Sequence, residues 1–492
     1  MFRTVSPEQA GIPSAHVERF IRLLNRRGLV MHSVLLMRGT DIFGEFYWKP
    51  FTKDTCHRMY SETKSYVGVA IGLLEQDGKL TLEDRISDHF PEKIDRELPS
   101  YLRDLTIRNM LMMETCGDPP SWFRHPDPDR THLYFAENSA QLPGGMRWSY
   151  DSPGSQVLST LVEKLSGMPL FAFLRTRIFD KLGTFQTAEI LKTKTEDSFG
   201  DSALLCTTRD MASFARFVLN YGTWNGERIL NEAYLRAATS PLADNDRTGF
   251  DGVFSKGYGY QIWCTDYNGF AFNGMGCQFT VCLPQQDLIF VCTADNQGYE
   301  EAKSLILTAF YEEIVDHLED ASLLEDPESA ARCLSLADTL QLAHIPGKTD
   351  AAYAQTLHGK VWHCAENPMG ITKFSLHFTG ENTGEWHYTN AQGDKVLPFG
   401  LGYNVFGKFP QYGYSGLHAG ARTTDGSLYD CAASAAWREP QKLLLKVQII
   451  DRYLGNMLVM FSFSGDTAVV RMTKTAEDFL DEYEGILVAK SE

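Results

Sequence analysis

Tyr60-Ser61-Glu62-Thr63-Lys64-Ser65-Tyr66-Val67-Gly68-Val69-Ala70-Ile71-Gly72-Leu73-Leu74-Glu75-Gln76-Asp77-Gly78 reads as one helix with chemistry at its front end. From Val67 to Leu74 every residue is small or apolar, so the helix has no polar face and is expected to run through a core, closing at Gly78. Its first turn carries Ser61 and, three residues on, Lys64. That spacing puts a hydroxyl and an amine on one side of a helix, within reach of each other. A serine is a poor nucleophile unaided, and a desolvated neighbouring amine is one of the few groups able to take its proton. The helix N-terminus adds positive potential and N–H groups beside the hydroxyl, which favours any oxyanion formed there. Ser-x-x-Lys occurs once in the chain, at the start of its most uniformly apolar helix.

The rest of the 492 residues bounds the function classes. A composition 43% hydrophobic and 22% charged is globular, and the length allows two or three domains. The formal charge of −17, with no run of Lys and Arg, argues against nucleic acid as a partner. The N-terminal residues enter a helical pattern at Ala15–Arg27 without an apolar leader, and no later stretch is long enough to span a bilayer, so a cytoplasmic protein with no membrane partner is expected. Ten cysteines are scattered singly, several within apolar runs (Cys264, Cys277, Cys282, Cys292). They suit reduced core thiols, and neither a metal nor a cofactor is expected.

Along the chain, Val30–Leu36 and Ile42–Tyr47 read as a hairpin at the edge of an antiparallel sheet. Residues 117–147, rich in Pro, Asp and His, read as an irregular surface excursion of the kind that walls a substrate pocket. Tyr150 lies in a loop just before a helix over 154–166, where a phenol can project into a cavity. Strands are expected at 257–263, 271–281 and 288–293, with Gly274 and Gly276 inside the second, then a helix over 301–318. From residue 357 onward short strands separated by Gly, Asn and Asp turns describe an all-β module. The expected division is therefore 1–318, a linker with a short helix over 319–356, and 357–492.

Ser61-Glu62-Thr63-Lys64, Tyr150-Asp151-Ser152 and Phe272-Asn273-Gly274, in that order, resemble the three motifs of the serine β-lactamase and penicillin-binding-protein superfamily. The class C-like esterase, amidase and D-aminopeptidase branch is the most similar. Framing segments agree: Gly78–Asp84, Leu105–Leu111, Pro143-Gly144 and Thr208–Met211 resemble family stretches in the same order. The resemblance implies an α+β fold, with a β-lactamase-like antiparallel sheet flanked by helices and a helical and loop subdomain, followed by a C-terminal barrel or lipocalin-like domain. It implies that Ser61 is acylated, that Lys64 and Tyr150 share the proton transfers without saying which is the base, and that the N–H groups of Ser61 and Met275 form an oxyanion hole. Gly274 must be small for that strand to reach the substrate carbonyl, and Ser152, Phe272 and Asn273 fall at substrate-binding positions.

The departures bear on substrate. Phe272 stands where β-lactam-handling members carry a cation, Ser152 replaces an Asn, and Glu114-Thr115-Cys116-Gly117 lacks the His of many relatives. Loss of the cation removes a charge partner for a β-lactam or peptidyl carboxylate. The expectation is thus a serine hydrolase of a small ester or amide. The alternatives are a non-turnover binding or assembly protein on the same fold, or a penicillin-binding or β-lactam-hydrolysing enzyme. By resemblance, the β module shapes access to Ser61 or mediates a homo-oligomer.

Overall fold

The computed structural model describes residues 2–119, 121–122, 125–139, 142–246, 252–350, 352–412, 428–476 and 480–491. Two units result, the first ending at Gln341 and the second starting at Leu342. The stretch read as linker contributes a helix, Pro327–Thr339, to the first unit, where its Cys333 and Leu336 join the core.

The first unit is built on a seven-stranded sheet of β1 (Arg3–Thr4), β2 (Met31–Arg38), β3 (Asp41–Tyr47), β4 (Trp263–Thr265), β5 (Gly269–Gly274), β6 (Gln278–Leu283) and β7 (Leu288–Ala294), in the order β1-β3-β2-β7-β6-β5-β4. The strands from β2 onward pair antiparallel, and the two residues of β1 run parallel to β3. Strand alternation sorts side chains into two layers. Leu35, Met37, Ile289 and Val291 face the core that contains the Ser61 helix, whereas Val34, Leu36, Phe290 and Cys292 face the N-terminal helix α1 (Ser14–Arg26) and the helix over Ala302–Glu313. Helix α2 (Thr63–Gln76) is buried from Thr63 to Leu74, as its composition predicts, and a helix over Ser152–Ser166, α3, packs on it.

Three expectations are corrected here. The run 271–281 is two strands, because positive φ at Gly276 (78°) and Cys277 (74°) turns the chain back between Gly274 and Gln278. Of 257–263 only the end is strand, since Gly257 and Gln261 also take positive φ. The excursion 117–147 is partly a helix, Arg130–Glu137, which buries Leu133, Tyr134 and Phe135; residues 120, 123, 124, 140 and 141 lie outside the described ones.

The second unit is a closed barrel. Strands β8 (Val361–Cys364), β9 (Lys373–Phe378), β10 (Thr383–Asn390), β11 (Gly393–Leu401), β12 (Val405–Tyr412), β13 (Leu428–Glu439), β14 (Lys442–Ile450), β15 (Leu454–Ser464), β16 (Thr467–Ala476) and β17 (Gly485–Ser491) are ordered β11-β10-β9-β8-β17-β16-β15-β14-β13-β12. A parallel pairing of Gly400 and Leu401 with Ser434 and Ala435 joins β11 to β13, closing nine strands into a ring with β12 on the remaining edge of β13. Closure removes the exposed edges that an open sheet of this length would carry. Trp362, Trp386, Trp437, Phe399 and Phe461 are buried in this unit.

Candidate active site

The chain enters α2 through a 3₁₀ turn, Tyr60–Glu62, and Tyr60 holds φ at 49°. A left-handed tyrosine is strained backbone that the surroundings must enforce. Here Arg58 does so, its guanidinium lying over the Tyr60 ring at 4.6 Å while Nε donates to the Ser202 carbonyl at 3.0 Å. The strained residue delivers Ser61 to the surface of a cleft, half-buried. Lys64, one turn on and 1% exposed, puts Nζ 2.9 Å from Ser61 Oγ and 2.7 Å from the Asp201 carbonyl oxygen. The helical spacing read from sequence thus becomes a direct contact between hydroxyl and amine.

Tyr150 reaches the same place from the loop before α3. Lys64 Nζ lies 5.2 Å from the centre of its ring, which stacks on Trp263 at 5.8 Å. The neighbouring Asp151 is consumed structurally. It caps α3 by accepting from the Gly154 N–H (2.7 Å), and it accepts from Thr115 (2.9 Å) and Tyr134 (3.2 Å). Ser152 is the first residue of α3, half-buried, and is not among the residues that line the cleft.

On the opposite wall β5 ends against the Ser61 turn. A Cβ at Gly274 would stand 2.1 Å from the Met59 carbonyl oxygen and 3.2 Å from the Glu62 nitrogen, so only glycine permits this approach. Strand periodicity then decides its neighbours, because Phe272 shares the face of Gly274 while Asn273 takes the other. Phe272 is accordingly fully buried beneath α2, with its ring 6.4 Å from Tyr66 and 5.5 Å from Phe214, and does not line the cleft. Asn273, Gly274, Met275 and Gly276 do line it, with Ser61, Tyr150 and Trp263. The cleft measures about 420 Å³, and its far wall comes from Asn296–Glu300 and Lys303; none of the described residues of 117–147 lines it. Gln278 braces the turn that carries Met275, donating to the Met275 and Ala294 carbonyls at 2.9 and 2.6 Å.

Several groups that build the site carry no local signal in the sequence. Gln261 is 1% exposed and ties the two helices together: Ser65 donates to its carbonyl, Ser155 to its side-chain oxygen, and its amide to Met110 and Leu111. Asp201 arrives beside Lys64 from a loop that sequence analysis passed over. Glu62, next to Ser61, is fully buried and accepts from Thr280 of β6 at 2.8 Å, linking the Ser61 turn to the strand after the cleft turn. Among the described residues there is no cluster of three or more His, Cys, Asp or Glu able to hold a metal ion.

Burial pushes the Glu62 carboxyl up to about 8, against the opposing effect of the Thr280 hydrogen bond. The unfolded chain gives up this proton near the ordinary carboxylate value, so folding retains a proton that the unfolded state has released. That stability is fully present below about 4.5 and is lost as pH rises toward 8. His57, donor or acceptor to His32 at 2.7 Å, is held down to about 4 by burial, and its contribution is present above 6.5 and lost as pH falls toward 4. Between pH 6.5 and 8, therefore, the Glu62 effect operates without the His57 effect. Urea midpoints should fall across that window by on the order of a few kcal/mol of stability. Glu62→Gln should flatten the slope; an equally steep fall in the variant would assign it to other groups.

The profile of the Beta-lactamase family matches residues 20–309, a span containing every group of the cleft floor. The chain belongs to the β-lactamase family. This β-lactamase-family protein is 26% identical over 259 residues to the 6-aminohexanoate-dimer hydrolase of Paenarthrobacter ureafaciens, the match covering 49% of this chain and 66% of the relative. It is 27% identical over 192 residues to penicillin-binding protein 4* of Bacillus subtilis strain 168, covering 35% of this chain and 41% of the relative. The chain thus spans less than two thirds of the length of either. Among solved structures, EstCE1, described as a hydrolase with promiscuous acyltransferase activity, superposes with a TM-score of 0.51 at 15% identity, over 60% of this chain and 98% of EstCE1; at that identity it shows the fold alone.

Proposed function

We propose that the protein is a serine hydrolase that cleaves a small ester or linear amide through an acyl-enzyme on Ser61. The observation that carries this is the 2.9 Å contact between Ser61 Oγ and a nearly inaccessible Lys64 Nζ at the floor of an open cleft. The Lys64 amine takes the Ser61 proton as Oγ bonds to the substrate carbonyl carbon. The negative charge that develops on the carbonyl oxygen is met by the backbone N–H groups of Ser61 and Met275, which Gly274 allows to converge. The leaving ester oxygen or amide nitrogen then takes a proton from the Lys64–Tyr150 pair. Water, deprotonated by the same pair, releases the acid and restores Ser61.

The walls bear on substrate. Glu300 and Lys303 on the far wall are the charged residues lining the cleft, among the described ones. With Phe272 turned into the core, β5 offers no cation to a carboxylate beside the scissile bond. The cleft therefore suits an uncharged acyl group lying against Trp263 and Tyr150, and it disfavours β-lactams. A relative named as the hydrolase of the 6-aminohexanoate dimer supports the hydrolytic reading.

The test is intact-protein mass spectrometry after incubation with p-nitrophenyl esters, D- and L-amino-acid amides and a β-lactam. The expected result is a transient adduct on the Ser61 peptide with release of product from an ester or an amide. A lasting β-lactam adduct without ester turnover would favour the penicillin-binding alternative. Absence of any adduct would favour a binding scaffold.

A further inference from the structure

Behind Ser61 lies a buried group of charges that the hydrolytic scheme does not use. Asp201 is 2% exposed, and its Oδ2 is 3.8 Å from Lys64 Nζ while its Oδ1 is 3.7 Å from Arg130. Arg130 is itself 4% exposed, its guanidinium 4.0 Å from the Phe199 ring centre and 4.6 Å from that of Trp122. Arg58, fully buried, lies over Phe199 at 5.5 Å and donates to the Ser202 carbonyl. Three cations thus surround one carboxylate out of solvent. Lys64 also faces the Asp151 carboxylate, the Tyr150 ring and the Ser61 hydroxyl. Burial drives the Asp201 carboxyl up, and Lys64, Arg130 and Arg58 each pull it down.

The two oxygens that Asp201 turns toward Lys64 have different consequences. The carbonyl accepts a hydrogen bond from Nζ whether the amine is charged or neutral, so it fixes position. The carboxylate favours only the ammonium form, so it fixes charge. We propose that Asp201 is a positioning residue for the Ser61–Lys64 pair, its carbonyl aiming Nζ at Oγ and its carboxylate, shared with Arg130 and Arg58, setting how readily Lys64 gives up its proton. The inference rests on the reading of Ser61 and Lys64 as the acylating pair. Because Lys64 takes the Ser61 proton in that scheme, the carboxylates of Asp201 and Asp151 and the guanidinium groups of Arg130 and Arg58 together set the pH at which Ser61 becomes reactive.

The test is the pH dependence of the rate at which a fluorophosphonate probe labels Ser61 in the full chain. Wild type, Asp201→Asn and Arg130→Gln are compared, with folding checked by circular dichroism. Loss of the carboxylate leaves Lys64 beside the guanidinium groups, so the acid limb of Asp201→Asn should move to lower pH by about 1–3 units, with the alkaline plateau kept within roughly tenfold. Arg130→Gln frees the carboxylate for Lys64, and its limb should move to higher pH. If Asp201→Asn does not fold, the upward shift in Arg130→Gln decides alone. Slower labelling at every pH with an unmoved limb in both variants would overturn the inference and leave Asp201 a packing group. An upward shift in Asp201→Asn would also overturn it, because removing a carboxylate that stabilises the ammonium form can only move that limb down. A wild-type chain that labels at no pH would instead remove the acyl-enzyme reading itself.

Discussion

On the proposed acyl-enzyme scheme, alanine at position 61 is expected to lower ester or amide turnover by on the order of 10⁴–10⁶-fold. The hydroxyl accepts from Lys64, whose Nζ keeps its bond to the Asp201 carbonyl when the hydroxyl is removed. Ser61 is half-buried on a turn whose backbone is held by Arg58 under Tyr60 and by the Glu62–Thr280 hydrogen bond, neither of which involves the side chain. Thermal unfolding of Ser61→Ala should therefore stay near that of wild type while kcat collapses. The comparison separates a chemical role from a structural one. Retained turnover in the purified variant would place the nucleophile elsewhere and leave the Ser61–Lys64 contact as a buried polar pair.

Alanine at Gly274 is the second large effect. The added carbon would sit 2.1 Å from the Met59 carbonyl oxygen, less than any contact a real Cβ makes, and that obstacle is backbone that cannot rotate away. Either β5 retreats from the Ser61 turn or the turn retreats from β5, and both separate the Met275 and Ser61 N–H groups. A displacement of about 1 Å at such a site costs roughly 10²-fold or more in kcat, and loss of one oxyanion donor costs 10²–10³-fold. Overpacking of this kind also destabilises by about 1–3 kcal/mol. Measuring kcat, KM and the melting temperature of Gly274→Ala checks the argument. The expected pattern is a kcat loss far larger than the change in KM, with a folded protein. Unchanged kcat would mean that the N–H of Met275 takes no part in the reaction.

Asp201 and Gly274 share a physical feature. Each is remote in sequence and controls the Ser61 turn by backbone contact: the Asp201 carbonyl on Lys64, and Gly274 against the Met59 carbonyl. The Ser61 turn is clamped between a loop and a strand end, and its own residues supply only part of the geometry.

What the amino-acid sequence determined by itself is what local spacing can encode. A three-residue step on a helix puts Ser61 and Lys64 on one side, so their contact was legible before any tertiary information. The unbroken apolar run from Val67 to Leu74 required a buried helix, and α2 is one. Short strands with Gly, Asn and Asp turns after residue 357 describe an all-β unit, and the second unit is one. Tertiary structure decided the remainder. The resemblance of the third motif places Phe272 at a substrate-binding position, but the contact of Gly274 with Met59 fixes the parity that turns Phe272 into the core. The positive φ at Gly276 and Cys277 makes 271–281 a hairpin. Asp201 stands 137 positions from Lys64, Gln261 196 positions from Ser65, and Thr280 218 from Glu62. No pattern of spacing reaches that far. Such partners are chosen when strands settle their register and helices bury their faces, because a buried amine, amide or carboxyl must then find its hydrogen bonds wherever the packed chain supplies them.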